Sequence, residues 1–225
     1  MPSLYDSCLI KELPASVRQL AGEAQMSFPL SLRNFIATAR CPHSLCVRLH
    51  FKFLLPTPFV NKMLMVMRVV YATADIGVSV ASREDLTGPS FTMLLDPDFG
   101  NGVGETAEVT QLYSNRNHAA ANDIVIYFVR TLRIFNGLAS PHRPSAMIFY
   151  LCDGGTLAHE VGHILSLGHP RGETEADCVT PLGRFFGPCS EPVPRLMSTC
   201  GCRQPTRLTQ EEIAKMRESP FTFNC

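Results

Sequence analysis

Thr156-Leu-Ala-His159-Glu160-Val-Gly-His163-Ile-Leu-Ser166-Leu-Gly168-His169-Pro170 is the stretch on which the reading of this chain turns. His159 and His163 are four apart, which on a helix stacks them one turn above the other on a single face. Two imidazoles so placed can share one metal ion. Glu160 is rotated by about 100° from His159. Its carboxylate therefore lies beside such an ion rather than on it, where it can act as a base toward a water. His169 reaches the same ion only if the chain turns after His163. Ser166, Gly168 and Pro170 supply such a break, because glycine tolerates positive φ and proline ends helices. An HExxH run alone arises by chance, and a helical His pair is commonly a packed or solvated face. A third His after a helix break is what favours the metal reading.

The four residues His159, Glu160, His163 and His169 resemble the metzincin clan of zinc endopeptidases, whose pattern is HExxHxxGxxH followed by a Met-turn. The pattern departs at one position, where the clan's glycine is Ser166. That glycine takes a left-handed conformation, which a serine adopts at a cost of roughly 1 kcal/mol, and Gly168 is expected to share the bend. Arg195-Leu-Met197-Ser-Thr-Cys200 resembles the Met-turn, so Met197 is expected beneath the three imidazoles as an apolar floor; read without the resemblance, it is a core methionine. Serralysins and astacins carry a Tyr two residues past that Met. Thr199 stands there in this chain, and no fifth ligand is implied.

The resemblance implies one catalytic Zn2+ held by His159, His163 and His169, with Glu160 as general base and acid. It implies an α/β (α+β) fold of the metzincin-like zincin kind. Its parts are a twisted, mostly parallel sheet with an antiparallel edge strand, an active-site helix, and an irregular lower subdomain ending in a helix. The order of elements is closest to the adamalysin-like (reprolysin-like) type. There the short strand before the last one pairs antiparallel with the substrate backbone. Gly137, Leu138, Ala139 and Ser140 occupy that place; read without the resemblance, the segment could equally be a loop. Edge pairing implies an extended protein or peptide substrate.

The chain has 225 residues, a formal net charge of +0 and 45% hydrophobic content. That suits one globular catalytic domain over 44–225, with an upper part to 169 and a lower part beyond it, preceded by an N-terminal extension or pro-segment over 1–43. Short helices are expected at 15–24 and 30–39. Zero net charge argues against a nucleic-acid or anionic-membrane binder. No apolar run reaches membrane-spanning length, since Met63–Met67 is bounded by Lys62 and Arg68. Nine cysteines point to an oxidising compartment and hence to secretion. Yet the first residues show no basic-then-apolar leader pattern. The odd count leaves at least one thiol free or available for an intermolecular bridge, in what is otherwise expected to be a monomer. Cys8 and Cys41 read as disulfide partners rather than as thiolates plugging the metal.

Alternation makes Cys46–Leu54 a strand ended by Pro56 and Pro58, and Ile76–Val80 a second strand. Phe59–Tyr71 between them reads as a helix whose Met and Val stripe is core. Strand, helix, strand implies a crossover within a mostly parallel sheet. His50 reads as a surface or core histidine rather than a ligand. Phe91–Leu95 reads as a short strand, Glu108–Arg116 as a helix with His118 exposed beside it, and Ala146–Leu151 as the strand feeding the metal helix. Asp123–Val129 is a continuous β-branched and aromatic run, the mark of a strand covered on both faces. Residues 170–207 hold six prolines and four cysteines (Cys178, Cys189, Cys200, Cys202) without periodicity. They read as a disulfide-stapled segment rather than a second zinc site, for no CxxC pair is present. Thr209-Gln-Glu-Glu212 fits a capping box, with Ile213 and Met216 facing inward.

No G-x-S-x-G, phosphate-binding loop or paired carboxylates compete with the histidine motif, and no serine has an identifiable His partner. Three protein nitrogens with an open fourth position are a catalytic arrangement, and neutral imidazoles imply that activity falls on acidification through about pH 6. The alternative is a catalytically silent zinc-bearing binding or decoy domain. Ser166 is its only support, and the intact Glu160 argues against it.

Overall fold

The computed structural model describes residues 43–98, 105–132, 135–140, 142–152, 155–170, 196–197 and 208–225. The expected helices at 15–24 and 30–39, Cys8 and Cys41, and the stapled segment with its four cysteines and Thr199 lie outside the described residues.

The elements in chain order are β1 (Leu45–Phe53), α1 (Val60–Ala72), β2 (Ile76–Asp85), α2 (Pro89–Thr92), α3 (Ala107–Ser114), β3 (Ile124–Val129), β4 (Gly137–Ala139), β5 (Ser145–Phe149), α4 (Thr156–Ile164), α5 (Gln210–Glu218) and β6 (Phe223–Asn224). The sheet runs β2-β1-β3-β5-β4, with β6 paired to the start of β1. β1 is parallel to β2 and β3, and β3 to β5, while β4 and β6 are antiparallel to their neighbours. The architecture is thus mixed α/β with a mostly parallel sheet and an antiparallel edge strand, the class expected from the sequence.

Every residue of β3 is buried, because both faces of the sheet are covered. On one face Val47, Leu49, Phe51, Ile126, Phe128 and Ile148 pack with α1, α4 and Met216 of α5. On the other, Val125, Tyr127, Val129 and Met147 pack with Leu94 and with Val109, Leu112 and Tyr113 of α3. The helix between β1 and β2 forms where expected, and its Met63 and Met67 are core. α5 starts with the expected capping box: Glu212 N–H donates to Thr209 Oγ1 at 3.2 Å and Thr209 N–H to the Glu212 carboxylate at 2.7 Å.

Two expectations are corrected. Phe91–Leu95 is not a strand: the chain makes the short helix α2 instead. Gly88, at φ 113°, lets the backbone turn, and Pro89 behind it starts a helix with its φ already set. β2 runs on to Asp85, well past Val80. Its partner register slips between Leu49 and His50, where Leu49 faces Val80 but His50 faces Ser82, so Ala81 is a bulge. β6 had no sequence signal, being two residues long. It is fixed by pairing with β1 and by the Cys46–Cys225 disulfide, 179 residues apart in sequence. No helix among the described residues is long and apolar enough to cross a membrane.

Candidate metal centre

α4 is amphipathic in the way its sequence dictates. Leu157, Ala158, Val161 and Ile164 are buried against the sheet, which leaves His159 and His163 on the side facing the site. The buried Tyr71 hydroxyl of α1 donates to Ala158 O at 2.9 Å and braces the helix from behind. After Ile164 the chain turns sharply. Leu167 N–H donates to Gly162 O at 2.9 Å and Ser166 N–H to His163 O at 3.0 Å, the bond pair of a Schellman cap. Ser166 takes the left-handed position itself, at φ 71°. Gly168 does not share the bend, for Gly88 alone among the described glycines has positive φ. The turn sends Leu167 into the core and returns His169 toward the helix.

The three imidazoles meet. His159 Nε2 lies 3.1 Å from His163 Nε2 and 3.2 Å from His169 Nε2, and one nitrogen from each ring falls within 4.8 Å of the others. The opposite nitrogens of two rings are anchored. His159 Nδ1 is 2.8 Å from Leu196 O, and His163 Nδ1 is 2.9 Å from Leu167 O. A carbonyl only accepts, so each Nδ1 carries the hydrogen and each Nε2 presents a lone pair. Burial first, then the neighbouring imidazoles, pushes the His159 pKa down to about 3. Burial also lowers that of His163. Neutral rings thus point acceptors at one another across 3.1 Å with no proton between them. A cation resolves that opposition, and with the nitrogen of His169 beside them the three rings are a donor set for zinc. The residues present fit the ion.

Met197 is wholly buried. A Cβ on Gly162, the helical residue before His163, would lie 2.7 Å from the Met197 sulfur. The absent side chain is what lets this sulfur tuck beneath the helix, while Leu196 beside it supplies the carbonyl on His159. Nothing in the sequence marks Gly162 beyond its place in the motif.

Glu160 is buried and faces β4. A Cβ on Gly137 would fall inside the Glu160 Cγ and carboxyl carbon, so the strand passes over the carboxylate only because Gly137 has no side chain. Among the described residues β4 is the terminal strand. Phe149 N–H donates to Asn136 O and Ser140 N–H to Ser145 O, both at 2.9 Å. Positions 136, 138 and 140 therefore face β5, and the main-chain groups of Gly137 and Ala139 face away from it. Leu138 O also takes the Tyr113 hydroxyl at 3.3 Å. Ser140 lies just past the strand, buried, its hydroxyl donating to Glu105 at 2.7 Å.

His118 is exposed, as expected. His50 is a buried histidine away from the trio, but the view that no serine has a His partner is overturned: Ser82 Oγ lies 2.7 Å from His50 Nδ1. The bulge at Ala81 creates this meeting, and a single sequence gives no signal of a register slip between two distant strands.

No protein-family model matches the chain, and no curated protein sequence matches it. Among solved structures the chain is similar to the crystal structure of archaemetzincin from Methanopyrus kandleri, at 14% sequence identity and a TM-score of 0.44, over 81% of this chain and 98% of that one.

Proposed function

We propose that this chain is a zinc-dependent endopeptidase of metzincin-like fold, with His159, His163 and His169 as ligands and Glu160 as general base and acid. The observation that carries the reading is the convergence of the three Nε2 atoms, with two Nδ1 atoms tied to backbone carbonyls. The edge strand β4, set before the last parallel strand and the metal helix, favours a place near the adamalysin-like members of the clan.

A bound Zn2+ supplies a Lewis acid that acidifies water and polarises a carbonyl. The chain's residues do the rest. The Leu196 and Leu167 carbonyls hold two rings in the ligating tautomer and orientation. Gly137 and Ala139 offer main-chain N–H and C=O groups to an extended peptide laid antiparallel along β4. Gly137 brings that peptide down onto Glu160. The Glu160 carboxylate accepts the proton of the attacking water and returns it to the leaving amine. Met197 shields the site from below. The Cys46–Cys225 disulfide supports an oxidising compartment and, with it, secretion. A monomer acting on protein substrates completes the reading.

Ser166 gives no support to a silent domain, because it adopts the left-handed turn that brings His169 into the cluster. The test is cleavage of casein by zinc-loaded protein, with and without chelator, beside Glu160→Ala. The expected result is one zinc per chain in both proteins, with turnover lost in the variant and in the chelated parent. Zinc-loaded parent that cuts nothing, or a variant that cuts as well as the parent, overturns the peptidase reading in favour of the binding domain.

A further inference from the structure

β1 divides its side chains by face. Val47, Leu49 and Phe51 enter the core, while Arg48, His50 and Lys52 take the other side, where His50 and Lys52 are nonetheless buried. β2 follows this alternation as far as Val80 opposite Leu49. The bulge at Ala81 then adds one residue, so Ser82 and Glu84 stand opposite His50 and Lys52. In an unbroken register Ala81 would face His50. Bulges re-aim side chains, and this one aims a hydroxyl at an imidazole.

The contacts form a directed relay. His50 Nε2 is 3.0 Å from Asp123 Oδ2. A carboxylate only accepts, so Nε2 carries the hydrogen and Nδ1 is left with its lone pair. Ser82 Oγ donates to that Nδ1 at 2.7 Å. Asp123 is itself fixed by the Ala120 N–H at 2.9 Å and by Arg48 at 3.6 Å. His50 and Asp123 are 2% and 5% exposed, whereas Ser82 is half-buried at the margin of the sheet. A nucleophile bonded to a base, with the base oriented by a third group, is the arrangement that activates a serine. None of these residues belongs to the metal centre.

We propose that Ser82 is the nucleophile of a second, metal-independent hydrolytic site acting on small carboxylic esters. Ser82 Oγ attacks the ester carbonyl carbon as His50 Nδ1 takes the hydroxyl proton. The carbon–alkoxy bond breaks, and His50 gives that proton to the departing alcohol. Water then attacks the acyl-serine through the same base, releasing the carboxylic acid and restoring the hydroxyl. Asp123 is a positioning residue that holds the imidazole tautomer. β2 ends the sheet among the described residues, so its outer edge, beside which Ser82 lies, has no strand partner there. A small acyl group suits a serine at such a margin.

The test uses the full chain in chelator, so that the histidine trio holds no metal. It is treated with diisopropyl fluorophosphate and, separately, with 4-nitrophenyl acetate. The expected result is a single phosphoryl adduct mapped to Ser82 by peptide mass, and ester turnover blocked by it. Ser82→Ala should abolish the adduct, and His50→Gln should slow labelling about 10²–10⁴-fold, the usual share of a general base. Asp123→Asn should slow it too, with part of the rate restored in Asp123→Glu. Thermal melting of each variant shows that the fold is kept. No adduct on the folded parent, an adduct elsewhere, or equal labelling of Ser82→Ala overturns the proposal. None of these outcomes bears on the metal-dependent peptidase reading.

Discussion

At the scale of single residues, the candidate metal centre is built by controlling protons. Leu196 O and Leu167 O pin hydrogens on the outer nitrogens of His159 and His163. Burial keeps both rings neutral where an exposed imidazole would charge. Free imidazole in the unfolded chain titrates near 6.5, while His159 in the fold titrates near 3. The unfolded chain therefore binds more protons than the folded one in that window. The stability linked to the neutral rings is full above about pH 6.5 and is lost progressively as pH falls toward 3. Melting temperatures of chelated protein should drop from pH 6.5 to 5, and His159→Gln should flatten the slope; equal slopes would contradict the assignment. Ser166, an exposed residue at φ 71°, bears the strain that glycine would not. Ser166→Gly should stabilise the protein by up to about 1 kcal/mol, and Ser166→Val should destabilise it, since a β-branched residue fits positive φ worst. Denaturant melts read both changes.

Among the elements, β4 pairs with β5 on one edge and, on the proposed function, takes the substrate on the other. Its 136, 138 and 140 positions pair with β5, and Gly137 and Ala139 face outward. Proline removes an N–H, so where it is placed separates the duties. Ala139→Pro should leave the melting temperature near that of the parent while lowering kcat/KM about fivefold, the worth of one hydrogen bond of roughly 1 kcal/mol. Leu138→Pro should instead destabilise the protein by breaking the β4–β5 ladder. Comparable melting losses in both would refute the edge assignment. α4, α5 and β3 were legible in the sequence because each is written in a local period: a His pair at helical spacing, a capping box, an unbroken apolar run. α2 was misread because Phe91, Met93 and Leu95 alternate like a strand, whereas Gly88-Pro89 decides the backbone.

Over the whole molecule, the ends of the described fold are tied together. Cys225, the last residue, is bonded to Cys46 on β1, and β6 pairs beside it. Arg217 of α5 adds a bond to Ala74 O at 2.9 Å, holding the helix to the loop before β2. A bridge closing so long a loop restricts the unfolded chain strongly, so Cys225→Ser should cost about 2–5 kcal/mol. The zinc content of the folded variant should match that of the parent, since α4 and its cap are held by other contacts. Denaturant melts and metal analysis of the same preparation check the two halves. Loss of zinc from folded variant protein would show that the bridge shapes the site as well.

By itself the sequence determined the helical histidine pair, the helix break after it, the neighbouring glutamate and the alternating strands, because each follows from a repeat of a few residues. Long-range packing alone sets which carbonyls fix the tautomers, that Gly137 lies on Glu160 and Gly162 on Met197, and that a slipped register brings Ser82 onto His50. Leu196 is 37 residues from His159, and Ser82 is 32 from His50. Such meetings are set by sheet register and by packing against a shared core, which no local period records.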